Sequence, residues 1–178
     1  QGLAGLIQSD ESNTTEDSAE KIVSKSEELL GKADKQRAIT DLLIEPPEVE
    51  EINVNRLLEQ NAKWVRQNYT DAVIDVDCPE DLTTVASTRI GQGVRELLTN
   101  SATHNDNKTP HITLRATSYQ DHISIEIMDD GPPIPDIERE VGTGGKELDP
   151  LYHGSGLGLW LVYWIVTRSE GLIYFEQN

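Results

Sequence analysis

The sequence predicts an α/β domain preceded by a helical segment. Two observations carry that expectation. Residues 1 to 45 place their apolar side chains at helical spacings, and Pro46-Pro47 closes the run, because neither proline donates a backbone hydrogen bond and each biases its predecessor toward extended geometry. Beyond the prolines, short β-type runs alternate with amphipathic helical runs.

Leu3 to Gln8 reads as a short helical piece and Ser9 to Thr15 (SDESNTT) as a turn. Asp17 or Ser18 then caps a second helix with glutamates in its first turns. Its apolar positions Ile22, Val23, Leu29, Leu30, Ala33, Ile39, Leu42 and Leu43 need a partner surface. A helical hairpin that dimerises into a bundle would supply one, and the alternative is a lone helix lying against the main domain. The domain boundary is expected at residues 47 and 48.

After it, Glu51 to Val54 is a short strand, and Asn55 caps a helix running to about Asn68, with Leu57, Leu58, Ala62 and Val65 on one side. Ala72 to Val76 and Thr83 to Ala86 are strands. Thr88 to Thr103 is a helix whose apolar face carries Ile90, Val94, Leu97, Leu98 and Ala102. His111 to Ser118 and His122 to Met128 form a hairpin around Tyr119-Gln120-Asp121. No period survives from Gly131 to His153, a length of loop that is usually functional or mobile. Ser155 to Arg168 is again a helix, and Leu172 to Phe175 a final strand.

Composition narrows the function. The chain has 178 residues with 32 Asp and Glu against 15 Lys and Arg, a formal net charge of -17. Such a surface repels nucleic acid and anionic membranes, so neither is an expected partner. The acids are dispersed rather than blocked, as expected of a protein from a high-salt cytoplasm, where the Debye length falls to about 3 Å at 1 M salt. The lone cysteine, Cys78, excludes an internal disulfide and a cysteine-based zinc cluster, and fits a reducing, cytoplasmic setting. No signal peptide or membrane span is expected: the start (QGLAGLIQ) has no basic leader, and the longest apolar run, Leu159 to Val166, is about two helical turns.

Three short segments carry chemistry. In Glu96-Leu-Leu-Thr-Asn100 the two polar residues are four apart and share a helix face. Asn100 offers an amide oxygen to a magnesium ion that keeps most of its waters, and Glu96 could hold a metal-bound water or accept a proton as a catalytic group. His104, one turn later, is a secondary candidate for phosphate contact. Asp129-Asp130-Gly131 ends a strand; the Asp129 carboxylate can accept from an exocyclic amine, which adenine presents and guanine does not, and Gly131 lets a base lie against backbone. Gly154-Ser155-Gly156-Leu157-Gly158 opens a helix, where backbone N–H groups and the helix dipole favour an anion. No Lys-Ser/Thr pair follows, so it is not a Walker A loop, and no βαβ strand feeds it, so it is not a dinucleotide fingerprint.

In this order the segments resemble the catalytic domain of sensor histidine kinases, with the GHKL (Bergerat) ATP-binding fold: ELLTNSATHN is similar to the N box, DDGPPIP to the G1 box and HGSGLGLWLV to the G2 box. The resemblance covers roughly residues 50 to 178, and the wording of the boxes is similar to haloarchaeal members. It implies a two-layer α/β sandwich, a mixed sheet with helices on one face. It implies ATP and Mg²⁺ as cofactors, Asn100 on the metal, Asp129 on adenine, and Pro132 to His153 as the ATP lid. The hairpin at 1 to 47 resembles a partial dimerisation and phosphotransfer region, which implies a homodimer and a response-regulator receiver domain as partners. Pro133 stands where the G1 box usually has its second glycine, the phenylalanine-rich lid box is absent, and Thr103 stands where a phosphate-binding lysine is common, leaving Lys146 as a substitute. No histidine precedes His104, so the phosphoacceptor is expected upstream of Gln1. Alternatives with the same fold are an anti-sigma-type serine kinase and a non-catalytic nucleotide-sensing module.

Overall fold

The computed structural model describes residues 2–45, 48–145 and 157–176, with side chains from Ala19 onward. One long helix, α1 (Gly2–Ile44), leads into the domain. Strand β1 (Val49–Asn53), helix α2 (Val54–Asn68), strands β2 (Val73–Asp77) and β3 (Thr83–Ser87), and helix α3 (Ile90–Thr103) follow. Then come strands β4 (His111–Ser118) and β5 (Ile123–Asp129), a short helix α4 (Asp136–Gly142), and helix α5 (Leu157–Arg168).

The principal sheet has the order β2-β4-β5 and is mixed, with β2 parallel to β4 and β4 antiparallel to β5. β1 and β3 pair antiparallel as a separate ribbon. On β4 the side chains of Ile112, Leu114 and Ala116 are buried in strict alternation. They pack beneath Val54, Leu58, Ala62 and Val65 of α2 and Val94 and Leu98 of α3, with Ile74 from β2, so two helices cover one face. The opposite face is wet: Arg115 sits level with Asp77 and Glu126 on its two neighbouring strands and pairs with both, at 3.0 and 3.9 Å. This is the mixed sheet with helices on one face that the sequence led us to expect.

A second apolar cluster joins α1 to α5. Ala38, Ile39 and Leu42 bury against Leu161 and Ile165, flanked by Ile90, Leu157, Trp160 and Trp164. Arg168 donates to the Leu43 carbonyl at 3.2 Å, and Arg89 stands 3.8 Å from Asp41. One turn before this cluster Lys35 still reaches the domain, 2.6 Å from Glu96, while Ile22, Val23, Leu29 and Leu30 are all exposed.

Four expectations are corrected. The turn at Ser9 to Thr15 is helical, so α1 is one helix rather than two pieces; polar turn formers do not stop a helix that lacks Gly or Pro at the break. Asn53, not Asn55, caps α2: its side chain accepts from Arg56 N at 2.7 Å, while Asn55 donates to the Cys78 carbonyl. The stretch after Gly131 holds α4, started by Pro135 and by Asp136 and Glu138 in the first turn, where acidic residues suit the helix dipole. Residues 171–176 form no regular element and pair with no strand, so Leu172 to Phe175 is not a strand. Phe175 instead packs beneath α4, where a Cβ on Gly142 would stand 2.7 Å from its ring.

Leu98 is fully buried at the centre of the first cluster, whereas Leu172 is 79% exposed. Leu98→Ala is expected to cost about 2–5 kcal/mol in urea unfolding, against about 0.5 kcal/mol or less for Leu172→Ala. Similar losses at both positions would contradict this core. A net charge of -17 also predicts that the thermal midpoint rises as KCl goes from about 0.1 to about 1 M, because screening shortens the reach of self-repulsion.

Candidate functional site

Helix α3 presents three faces, each committed to a different neighbour. Val94, Leu98 and Ser101, spaced i, i+4 and i+7, look toward the sheet. Arg95 turns toward α2, where its Nε donates to Asn61 Oδ1 at 3.1 Å and its guanidinium lies 4.8 Å over the Trp64 ring. Gly93, Glu96 and Asn100, spaced i, i+3 and i+7, look toward α5. A Cβ on Gly93 would meet Ile165 at 3.6 Å, an ordinary contact that lets the two helices lie close.

The sheet face delivers Ser101 to the end of β5. Its hydroxyl donates to Asp129 Oδ2 at 2.6 Å, and Gly131 N donates to Asp129 Oδ1 at 2.9 Å. Each carboxylate oxygen keeps acceptor capacity, and Asp129 is exposed. The neighbouring Asp130 is structural: Oδ1 accepts from His111 N at 3.0 Å and from Asn105 Nδ2 at 2.8 Å, while Asn107 Nδ2 donates to its carbonyl. The His111 backbone N–H, and after it the Asn105 amide, hold the Asp130 carboxyl below its usual value of 3.8. Its folded value is depressed, so the stabilisation is present above the unfolded pKa and is lost as pH falls through the folded one.

The α5 face brings Glu96 and Asn100 to the first turn of α5. A Cβ on Gly158 would stand 3.0 Å from Glu96 Oε2, 3.5 Å from Lys35 Nζ and 3.7 Å from Asn100 Nδ2. The contacts to Lys35 and Asn100 are ordinary, but a side chain at position 158 would make Glu96 give way by a few tenths of an ångström. Glu96 Oε2 is closed off from solvent and lies 2.6 Å from the Lys35 ammonium. The approach is poorly aligned for a hydrogen bond, so charge rather than direction holds this ion pair.

Of the residues singled out in the sequence, the structure gathers Glu96, Asn100 and Gly158 in one corner and Asp129 with Gly131 in another. α3 spans the two. Leu157 packs into the α1–α5 cluster and pins the start of the helix. His104 is the exposed C-cap of α3, its backbone N–H bonded to the Asn100 carbonyl. Lys146, Gly154, Ser155 and Gly156 lie outside the described residues. Sequence reasoning missed Ser101, whose signal was its place one residue after Asn100 on the sheet side of the helix. It also missed Lys35, which only tertiary packing brings here. Among the described residues no cluster of three His, Cys, Asp or Glu side chains forms a metal cage. An amide oxygen and a carboxylate on one helix face suit a hard cation that takes its other ligands from water and phosphate.

A family model described as "Histidine kinase-, DNA gyrase B-, and HSP90-like ATPase" matches residues 85–178, which takes in all three segments. The chain belongs to this ATPase family. Solved structures agree at the level of fold. The Acinetobacter baumannii histidine kinase AdeS superposes with a TM-score of 0.69 at 18% identity, over 89% of this chain and 77% of that one. ShkA, solved full-length in complex with AMPPNP, gives 0.63 at 18% identity over 79% and 31%. The mycobacterial sensor histidine kinase MprB gives 0.57 at 22% identity over 69% and 81%. No curated protein matches the sequence.

Gly131 tests this geometry directly. A Cβ there would fall 2.9 Å from Asp129 Oδ1 and 3.0 Å from Asn105 Nδ2. Gly131→Ala is therefore expected to keep the fold, read by circular dichroism, yet weaken adenine-nucleotide binding by displacing the carboxylate. Asp130→Asn is expected to flatten the stability profile below pH 3.8; an unchanged acid limb would contradict the anchoring role.

Proposed function

We propose that this chain is the ATP-binding catalytic portion of a sensor histidine kinase. The observation that carries the reading is the Asp129 carboxylate, exposed at the end of β5 and aimed by Ser101 and Gly131. It leaves lone pairs free for the exocyclic amine of adenine, and the missing Cβ of Gly131 leaves room for that carboxylate and for Asn105.

Around that anchor the remaining residues take roles by chemistry. Asn100 supplies an amide oxygen to Mg²⁺, which would neutralise phosphate charge. Glu96 orients a metal-bound water or accepts a proton. Backbone N–H groups of the Gly154-Ser155-Gly156-Leu157-Gly158 segment hold the phosphates at the N-terminus of α5. Lys146 and His104 are further phosphate candidates, and residues 132–153 form the lid. Phosphoryl transfer asks mainly for positioning and charge stabilisation, which such a set supplies.

The phosphoacceptor is a histidine outside this sequence, since His104 is the first in the chain and caps a helix of the domain. Residues 1–47 act as part of the dimerisation and phosphotransfer region, with α1 as its helix, and residues 48–178 as the catalytic domain. Exposed Ile22 and Leu29, and Val23 and Leu30, repeat at seven residues, the spacing of a helix-pairing seam, which supports a homodimer. A response-regulator receiver domain is the onward acceptor, in the cytoplasm. No described helix is long and apolar enough to cross a membrane.

A fluorescent ATP analogue titrated with magnesium should bind the chain. Asp129→Ala should weaken it at least about tenfold, the consequence of a lost hydrogen bond to a charged group. Asn100→Ala should abolish the magnesium dependence. Equal affinity of Asp129→Ala and the wild type would sink the assignment.

A further inference from the structure

A tetra-anionic nucleotide has to bind a chain whose net charge is -17, and the helix position where a phosphate-binding lysine was expected holds Thr103. A cation nevertheless stands at the metal and phosphate corner. It comes from α1. Lys35, Ala38, Ile39 and Leu42, at i, i+3, i+4 and i+7, form one stripe of that helix. The last three bury against α5, so the first is delivered one turn earlier, above the start of α5.

There the Lys35 ammonium lies 2.6 Å from Glu96 Oε2 and 3.5 Å from the Cβ position of Gly158, with Asn100 Nδ2 at 3.7 Å from the same point. Its side chain is 31% exposed and that of Glu96 16%. An ammonium has three donors, and among the described residues its one ion-pair partner is Glu96, which leaves donor capacity for phosphate oxygens. The ion pair thus aims Lys35 and keeps a long side chain from wandering.

We propose that Lys35 is a nucleotide-binding residue that contacts the polyphosphate of the bound nucleotide, supplied to the catalytic domain by the preceding helix. The inference rests on the nucleotide reading above and assigns its missing cation. A functional coupling follows. Because Lys35 reaches the site only while α1 is docked on α5, nucleotide binding favours the docked helix, and docking raises nucleotide affinity by the same factor. Movements of the helix would therefore be read at the phosphates without any change in the adenine pocket.

The test uses the whole chain and two ligands, magnesium AMP-PNP and adenosine, measured by calorimetry. Lys35→Met keeps the apolar stem and removes the charge. It is expected to weaken AMP-PNP about tenfold, as for a lost charge-assisted hydrogen bond, while adenosine affinity stays within about twofold. Lys35→Arg should restore most of the AMP-PNP affinity. A thermal melt of each variant shows whether α1 remains docked. Unchanged or tighter AMP-PNP binding by Lys35→Met would overturn the proposal and make Lys35 a restraint on Glu96 instead. Equal loss of both ligands would assign it a structural role and overturn the proposal as well. A wild-type chain that binds neither ligand would instead remove the nucleotide reading itself.

Discussion

The rotation of α3 about its own axis is the constraint from which the site follows. Val94 and Leu98 are pressed into the sheet by the alternating side chains of β4, and that burial leaves the helix a single orientation. Ser101 then falls over the end of β5, and Glu96 and Asn100 fall against the first turn of α5. A helix turns 100° per residue, so a slip of one position would carry every polar group of the site out of reach of its partner. The approach is close on the α5 side as well, where a Cβ on Gly158 would stand 3.0 Å from Glu96 Oε2. The apolar core and the polar site are two readings of one fixed helix.

Electrostatics poses the harder problem, because the chain is strongly acidic and the ligand of this family is an anion. The described geometry answers it locally. Asp130 Oδ1 is tied to the backbone of β4 and to Asn105. Glu96 is neutralised by Lys35. The N-terminus of α5, with its glycines, offers partial positive charge without a side chain. Asp129 is exposed and keeps acceptor capacity on both carboxylate oxygens, which suits a donor rather than an anion. Local dipoles and one imported ammonium can thus hold phosphate within a surface that repels it at a distance.

Much of this was legible in the sequence because it rests on local rules. The β4–β5 hairpin, α2 and α3 follow from apolar periodicity, and the Asp-Asp-Gly turn from a backbone requirement that few other residues meet. The misses are of another kind. α4 was hidden in a loop dense with Pro and Gly, although Pro135, Asp136 and Glu138 are a start signal when read together. Phe175 looked like the end of a strand, and its actual position beneath Gly142 depends on the packing of α4. Lys35 lies 61 residues before Glu96, and no periodicity links them. Only the docking of α1 on α5 brings the two together, and the stripe that drives it reads equally well as half of a helical bundle.

The central claim is that one nucleotide engages the Asp129 end and the Gly158 end of α3 together. A two-dimensional amide NMR titration of the whole chain with magnesium AMP-PNP tests it most directly. The amides of Ser101 and Gly131 should shift in step with those of Asn100 and Gly158, at a single saturation point. Shifts confined to the cleft bounded by Asn68, Tyr69, Asn107 and Lys108, or a response at Gly131 without one at Gly158, would contradict it.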